Sequence, residues 1–308
     1  MLNQQNKPVY LTNKEIDKVK WDACISGARN GLVYGYSFYL DHMSKNWDAL
    51  IVNDYEAVMP LTWNKKYQIE YLYQPFFTAS LGIFGNRLSG KLVKIFLENI
   101  PTKYKYWDIY LNHGNFFPIQ GFEFYTRSNY ILSLDKEFES IRRSYSQNHI
   151  RNIKKAEREG LYTGKNIEAK KVIGLARRQS SAYSPVTGKD FNNFYALYNY
   201  LNARDKARSY GVFNTKGELM SSCILFFSHK RIYFILAGNH PAGRTSGASH
   251  FLINEFIKEF AGQDLVLDFE GSDVQNIARF YKGFGAKEEN FPGLKVNRLP
   301  AFLKLFKK

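Results

Sequence analysis

The sequence predicts an α+β chain of two tandem domains, each a mixed, mainly antiparallel sheet with flanking helices. Three observations lead there. Short strands are separated by turn residues, helical runs follow them in the same order twice, and identities recur about 160 positions apart. In the second half, "RSYGVFN" and "LMSSCILFF" read as strands around the turn "TKGE", and "IYFILA" makes a third. After the polar loop "GNHPAGRTSGA", Phe251, Leu252, Phe256 and Phe260 recur at helical spacing. "DLVLDF" then reads as a short buried strand, "VQNIARFYKGF" as a helix and "LKVNRL" as a last strand.

The first half repeats this order. "WDALIVN" and "EAVMPLTW" flank a turn at Asn53-Asp54, "QIEYLY" is the third strand, and "SGKLVKIFLENI" and "KYWDIYL" give the helix and strand that follow. Shifted by 160 positions, Ser89, Leu92, Phe96 and Asp108 fall on Ser249, Leu252, Phe256 and Asp268. Shifted by 162, Gly121-Phe122 falls on Gly283-Phe284, and Tyr281 has Ile119 as its counterpart, beside a proline that a helix interior would not accept. A tandem duplication is expected, with domains at 1–136 and 137–308. The second, which includes a basic connecting helix, is the place to look for chemistry.

The 308 residues are enough for two medium domains, and 17% aromatic content argues against disorder. The formal net charge is +15, from 43 Lys and Arg against 28 Asp and Glu. That balance favours polyanions such as nucleic acid, acidic headgroups or a phosphate-bearing cosubstrate, unless the lysines are simply solvated. Cys24 and Cys223 stand far apart without CxxC spacing, and the six histidines show no ligand pattern, so no metal and no disulfide framework are expected. A polar start and the lack of a long apolar run point to a cytoplasmic protein. The GxSxG context of a serine nucleophile is missing.

Between the halves, "HIRNIKKAEREG" places Arg151, Lys154, Lys155 and Arg158 on one helical face and an apolar edge at Ile150 and Ile153. Gly160 is placed to end the helix. The four cations suit a nucleic-acid or phosphate backbone, or else form a solvated face diluted by Glu157 and Glu159. Near the end, "DFEGSDVQNIARFYKGFGA" spans Asp268 to Ala286. Asp268 and Glu270 leave one face of a strand end, alternating with Leu267 and Phe269.

The element order of the second half, with "NIARFYKGF" at 276–284, resembles the GCN5-related N-acetyltransferase (GNAT) fold. Two copies joined by a basic helix resemble, more particularly, the Fem family of non-ribosomal aminoacyltransferases, which extend peptidoglycan cross-bridges from aminoacyl-tRNA. The matching segments are Arg151 to Gly160, Asp268 to Gly271 and Phe280 to Gly285. The last departs from the Fem pattern by carrying a tyrosine, as ordinary GNAT enzymes do. The long charged helical hairpin that some Fem proteins insert into their second domain is missing as well.

The resemblance implies an acyltransferase acting on an amine-bearing small molecule or a cell-wall precursor, with acyl-CoA or aminoacyl-tRNA as donor. It makes Tyr281 a candidate acid for the leaving group, and the loop of Arg244, Ser246, Gly247, Ala248 and Ser249 a candidate phosphate cradle at a helix start. The plainer readings are a core tyrosine and a flexible loop with Ser249 as helix cap. Of the two carboxylates, Glu270 is favoured for taking up the amine proton. Asp268 is expected to be structural, because the first copy keeps its aspartate at 108. The rival function is a non-catalytic ligand-binding module on the duplicated scaffold.

Overall fold

The computed structural model describes residues 7–180, 185–271 and 273–300. The chain divides into two compact units, one formed by 1–127 with 290–308 and the other by 128–289. The first holds β1 (Val9–Leu11), α1 (Lys18–Gly27), α2 (Ser37–Met43), β2 (Asn46–Val52), β3 (Ala57–Lys66), β4 (Ile69–Tyr73), β5 (Phe84–Gly85), α3 (Gly90–Glu98), β6 (Tyr104–Tyr110) and β7 (Phe124–Arg127). The second holds β8 (Tyr130–Ser133), α4 (Phe138–Arg142), α5 (Gln147–Arg158), β9 (Tyr162–Lys165), α6 (Ala169–Ser180), α7 (Gly188–Asn202), β10 (Ala207–Phe213), β11 (Leu219–Ser228), β12 (Arg231–Asn239), α8 (Pro241–Thr245), α9 (Ala248–Phe260), β13 (Val266–Asp268), α10 (Gln275–Lys282) and β14 (Lys287–Glu288). The chain then returns to the first unit as β15 (Phe291–Asn297).

Each unit is one sheet with helices against it. The first is ordered β1-β2-β3-β4-β6-β15-β7, with β5 on β3, and the second β14-β8-β13-β12-β11-β10-β9. Only β4 with β6 and β12 with β13 are parallel among the strand ladders; the others are antiparallel. The expected α+β class with mixed, mainly antiparallel sheets is what the chain forms.

The unit limits differ from the 1–136 and 137–308 read from the sequence. Tyr130–Ser133 forms ladders with β13 and β14, so the second unit begins earlier. The strand at "LKVNRL" is β15, which pairs with β6 and β7 and closes the first sheet instead of the second. A strand's partner is a long-range choice, and local pattern does not encode it.

The cores follow from the apolar faces. In the first unit, Val93, Phe96 and Leu97 of α3 are buried against sheet residues that include Leu50, Met59, Leu72 and Trp107. In the second, Leu252, Phe256 and Ile257 of α9 join Leu225, Ile232, Phe234 and Leu267. α5 starts at Ser146, whose hydroxyl caps the His149 N–H, and ends before Gly160, which sits in left-handed backbone at φ +70°. Ile153 and Ala156 lie buried on its inner face.

The two parallel pairs share a register. Leu72 faces Trp107 and Tyr73 faces Asp108 in one unit; Ile232 faces Leu267 and Tyr233 faces Asp268 in the other, each 160 positions on. Past that point the units diverge. In the first, Leu81 rejoins β6, donating to the Tyr110 carbonyl at 2.8 Å and accepting from the Asn112 N–H at 2.9 Å. Buried Asn30, Asn112 and Asn115 then bind the backbone of Leu81, Ile83 and Gly85. That seam is shut.

In the second unit, the described ladder between β12 and β13 ends at Tyr233 and Asp268, while β12 runs on to Asn239. The register of β11 on β12 slips between Ile224 and Leu225, which face Leu236 and Phe234 and leave Ile235 as an extra residue. Such a bulge bends its strand and raises its twist locally, just past the point where the described pairing with β13 ends. Beyond Asp268 the other strand stays with β8, through Phe269 N–H to the Tyr130 carbonyl at 2.9 Å.

Candidate active site

Three of the predicted residues lie around the end of the β12–β13 ladder: Asp268 closes it, Glu270 follows, and Tyr281 stacks on Phe269 between them. Asp268, only 4% exposed, accepts from Arg231 Nη1 at 2.9 Å, Asn129 Nδ2 at 2.9 Å and the Glu270 N–H at 3.0 Å. Arg231 also grips Glu289 through two bonds, at 2.8 and 2.7 Å. A buried carboxylate that accepts three hydrogen bonds, of the roughly four it can take, fixes the strand end. Glu270 and Gly271 follow in left-handed backbone, at φ +66° and +77°. A side chain rarely adopts this conformation, and here it turns the chain sharply and re-aims Glu270, one of whose carboxylate oxygens is buried. The expectation that Asp268 and Glu270 share one strand face therefore gives way to a turn that separates their roles.

Tyr281, near the end of α10, is half-buried and stacks on Phe269, with ring centroids 4.4 Å apart and planes 19° off parallel. Burial, and after it the Glu270 carboxylate, raises its pKa above the ordinary tyrosine range. The phenol stays protonated at neutral pH beside a carboxylate that it senses. Its counterpart in the first unit, Ile119, is a buried hydrocarbon.

The loop before α9 takes a shape that the sequence did not suggest. Pro241–Thr245 makes a one-turn helix, closed by Gly243 N–H to the His240 carbonyl (2.9 Å) and Ser246 N–H to the Ala242 carbonyl (3.2 Å). Those amides are already spent. Gly247, not Ser249, occupies the cap position of α9, at φ +78°. A Cβ there would lie 2.3 Å from the Asn152 carbonyl of α5, so both backbone and packing demand glycine. Ser249 donates to Asn239 Oδ1 at 2.6 Å and Ser246 to the Gly243 carbonyl at 3.2 Å, while Ala248 is buried. Arg244 is exposed.

The basic helix divides its cations. Arg151, Lys154 and Arg158 are exposed and line a shallow groove of about 510 Å³ with Gln147, Ile150 and Glu157. Lys155 instead donates to the Thr245 carbonyl at 2.8 Å and pairs with Glu159 at 3.8 Å, bracing the end of α8. Of the fourfold basic face, three cations stand free of α8 and Lys155 is tied to it.

His149 escaped the sequence reading. It falls at i, i+4 and i+7 with Ile153 and Ala156, so helical spacing alone puts it on the buried face. Its ring nitrogens contact Ser146 Oγ and the Phe280 carbonyl, each at 2.8 Å, and its edge meets His250 at 4.7 Å. Burial, with His149 adding to it, holds His250 down to about 4. The described residues include no group of three or more His, Cys, Asp or Glu able to hold a metal ion.

A parallel strand ladder that ends at Tyr233 and Asp268, followed by the tyrosine-bearing α10, sits in a fold of the GNAT type, similar to that of Fem proteins. The solved structures it resembles agree. FemX matches with a TM-score of 0.66 at 13% identity, over 95% of this chain and 99% of that one. A conserved protein of unknown function from Bacteroides thetaiotaomicron gives 0.58 at 12% identity, over 91% and 97%. L-PGS from Bacillus licheniformis gives 0.53 at 13% identity, over 94% and 95%. No protein-family model matches the sequence, and no curated protein matches it significantly. At such identities the likeness is one of fold.

Proposed function

We propose that the chain is an N-acyltransferase that works in the opening between β12 and β13 and uses an aminoacyl ester of tRNA as donor. The observation that carries this reading is the parted strand pair with Tyr281 stacked on Phe269 at its fork. An acyl carbonyl seated there would be attacked by the lone pair of an acceptor amine. The tetrahedral adduct collapses as the carbon–oxygen bond to the ribose breaks, Tyr281 gives its proton to the departing alkoxide, and the proton lost by the nitrogen returns to the tyrosinate through Glu270 or water. Atoms balance as amine plus ester giving amide plus hydroxyl.

Two features support the ester over a thioester. A phenol raised above its ordinary pKa is better matched to an alkoxide than to a thiolate, whose conjugate thiol sits near about 8.5. Arg151, Lys154, Arg158 and Arg244 also stand exposed for a phosphodiester backbone. FemX and L-PGS share the fold, which suits an acceptor at the cell envelope, such as a cell-wall precursor or an amine-bearing headgroup. We read the two units as copies of one ancestor, the first having closed its opening.

The test is transfer of a radiolabelled aminoacyl group from tRNA, and of acetyl from acetyl-CoA, to a panel of amines. Tyr281→Phe and Glu270→Gln should lower turnover by 10-fold or more with the unfolding midpoint of Tyr281→Phe unchanged. Full activity in both variants ends the proposal, and transfer from acetyl-CoA alone would replace the donor.

A further inference from the structure

The carbonyl of Phe280 sits in the last turn of α10 and is passed over by the helix. Gly283, Phe284 and Gly285 N–H groups go to the carbonyls of Arg279, Tyr281 and Lys282. His149 Nε2 takes the one left between them, at 2.8 Å. A carbonyl only accepts, so Nε2 carries the hydrogen, and Nδ1 is left bare to accept from Ser146 Oγ–H. Both nitrogens of a neutral ring are thereby satisfied. The Ser146 N–H also reaches the Gly283 carbonyl at 2.8 Å, and the ring presses on Gly283 so closely that a Cβ would lie 2.0 Å from its Cε1.

We infer that His149 is the positioning residue for the Tyr281 phenol, acting through the peptide that joins Phe280 to Tyr281. That peptide's carbonyl is the group His149 binds, so its plane is fixed from α5, while the stack on Phe269, just past β13, fixes the ring. The helix that braces the Gly247 loop through Asn152 and Lys155 therefore also sets the tyrosine. Burial keeps His149 below the ordinary histidine pKa, which preserves the neutral ring this arrangement needs.

The inference rests on Tyr281 as proton donor, and its test separates the two. In the full-length protein, 15N-labelled histidine should show His149 as the neutral Nε2–H tautomer at pH 7. With 3-fluorotyrosine at position 281, His149→Ala should shift or broaden the 19F resonance, and His149→Gln, whose amide N–H can reach the same carbonyl, should restore most of it. Turnover should follow, with kcat falling 10-fold or more in His149→Ala at a steady KM and recovering in His149→Gln. An Nδ1–H tautomer, or an unmoved 19F signal in His149→Ala, overturns the inference. If His149→Ala does not fold, the wild-type tautomer and the His149→Gln resonance decide. Full activity in both Tyr281→Phe and Glu270→Gln would sink the proposed function and leave the resonance result standing.

Discussion

Replacing Asp268 with Asn keeps the shape of the side chain and removes the charge on which three hydrogen bonds converge. Arg231 Nη1, Asn129 Nδ2 and the Glu270 N–H all donate to it, at 2.9, 2.9 and 3.0 Å. An amide whose oxygen stays on Asn129 and Glu270 must turn its NH2 group toward Arg231, donor against donor. Arg231 retains Glu289 at 2.8 and 2.7 Å, so the guanidinium is not stranded. The loss is then one charge-assisted bond, about 1.5–3 kcal/mol, and some repulsion, or about 2–4 kcal/mol in all. This is somewhat less than the roughly 3–5 kcal/mol for stripping one partner from a buried pair. With a urea slope of about 2 kcal/mol per molar, the midpoint should fall by about 1–2 M, followed by far-UV circular dichroism. Exposed Lys154→Gln serves as control and should stay within about 0.5 kcal/mol. An Asp268→Asn protein that unfolds at the wild-type urea concentration would refute the keystone role.

Gly283→Ala should cost about 1–3 kcal/mol through the clash with the His149 ring, and close to nothing in a His149→Ala background; a double-mutant cycle by urea unfolding measures the difference. His250 is neutral in the folded protein down to about pH 4, whereas the unfolded chain takes up its proton below about 6.5. Stability from this site is therefore complete above about 6.5 and is lost as pH falls toward 4, by at most about 1.4 kcal/mol per pH unit. His250→Phe should flatten the melting temperature across that window. Binding of tRNA should weaken linearly in log–log plots against salt, and Arg151→Ala with Lys154→Ala and Arg158→Ala should reduce the slope by roughly 3.

Much of the fold was legible because its signals are local. The hairpin of β10 and β11 follows from alternation around "TKGE", α9 from the spacing of Phe251, Leu252, Phe256 and Phe260, and the end of α5 from Gly160. The helices α6 and α7 escaped, although Val172, Leu175 and Ala176 in one and Phe191, Phe194, Leu197 and Leu201 in the other are buried at helical spacing. The site was legible in part. Its residues could be named, but the turn that sets Glu270 apart from Asp268 depends on two successive left-handed residues, only one of them glycine. The packing that makes Gly247 and Gly283 obligatory comes from α5, more than 90 residues away along the chain from Gly247. Contacts of that range leave no trace in a local window.

The contrast between the two parallel pairs supports the proposed site better than any single motif does. Both begin from the same register, Tyr73 with Asp108 and Tyr233 with Asp268, so the starting geometry does not distinguish them. What differs is how the backbone beyond is satisfied. In the first unit Asn30, Asn112 and Asn115 replace strand pairing with side-chain bonds to Leu81, Ile83 and Gly85, and a buried polar network so fully engaged is costly to open. In the second, β12 carries the extra residue at Ile235, and its described ladder to β13 stops at Tyr233 and Asp268. Under the proposed function, the donor would lie beside β12 past that point and pair with it as an added strand. A chain that had no use for the opening had an asparagine solution available to it in its own first half.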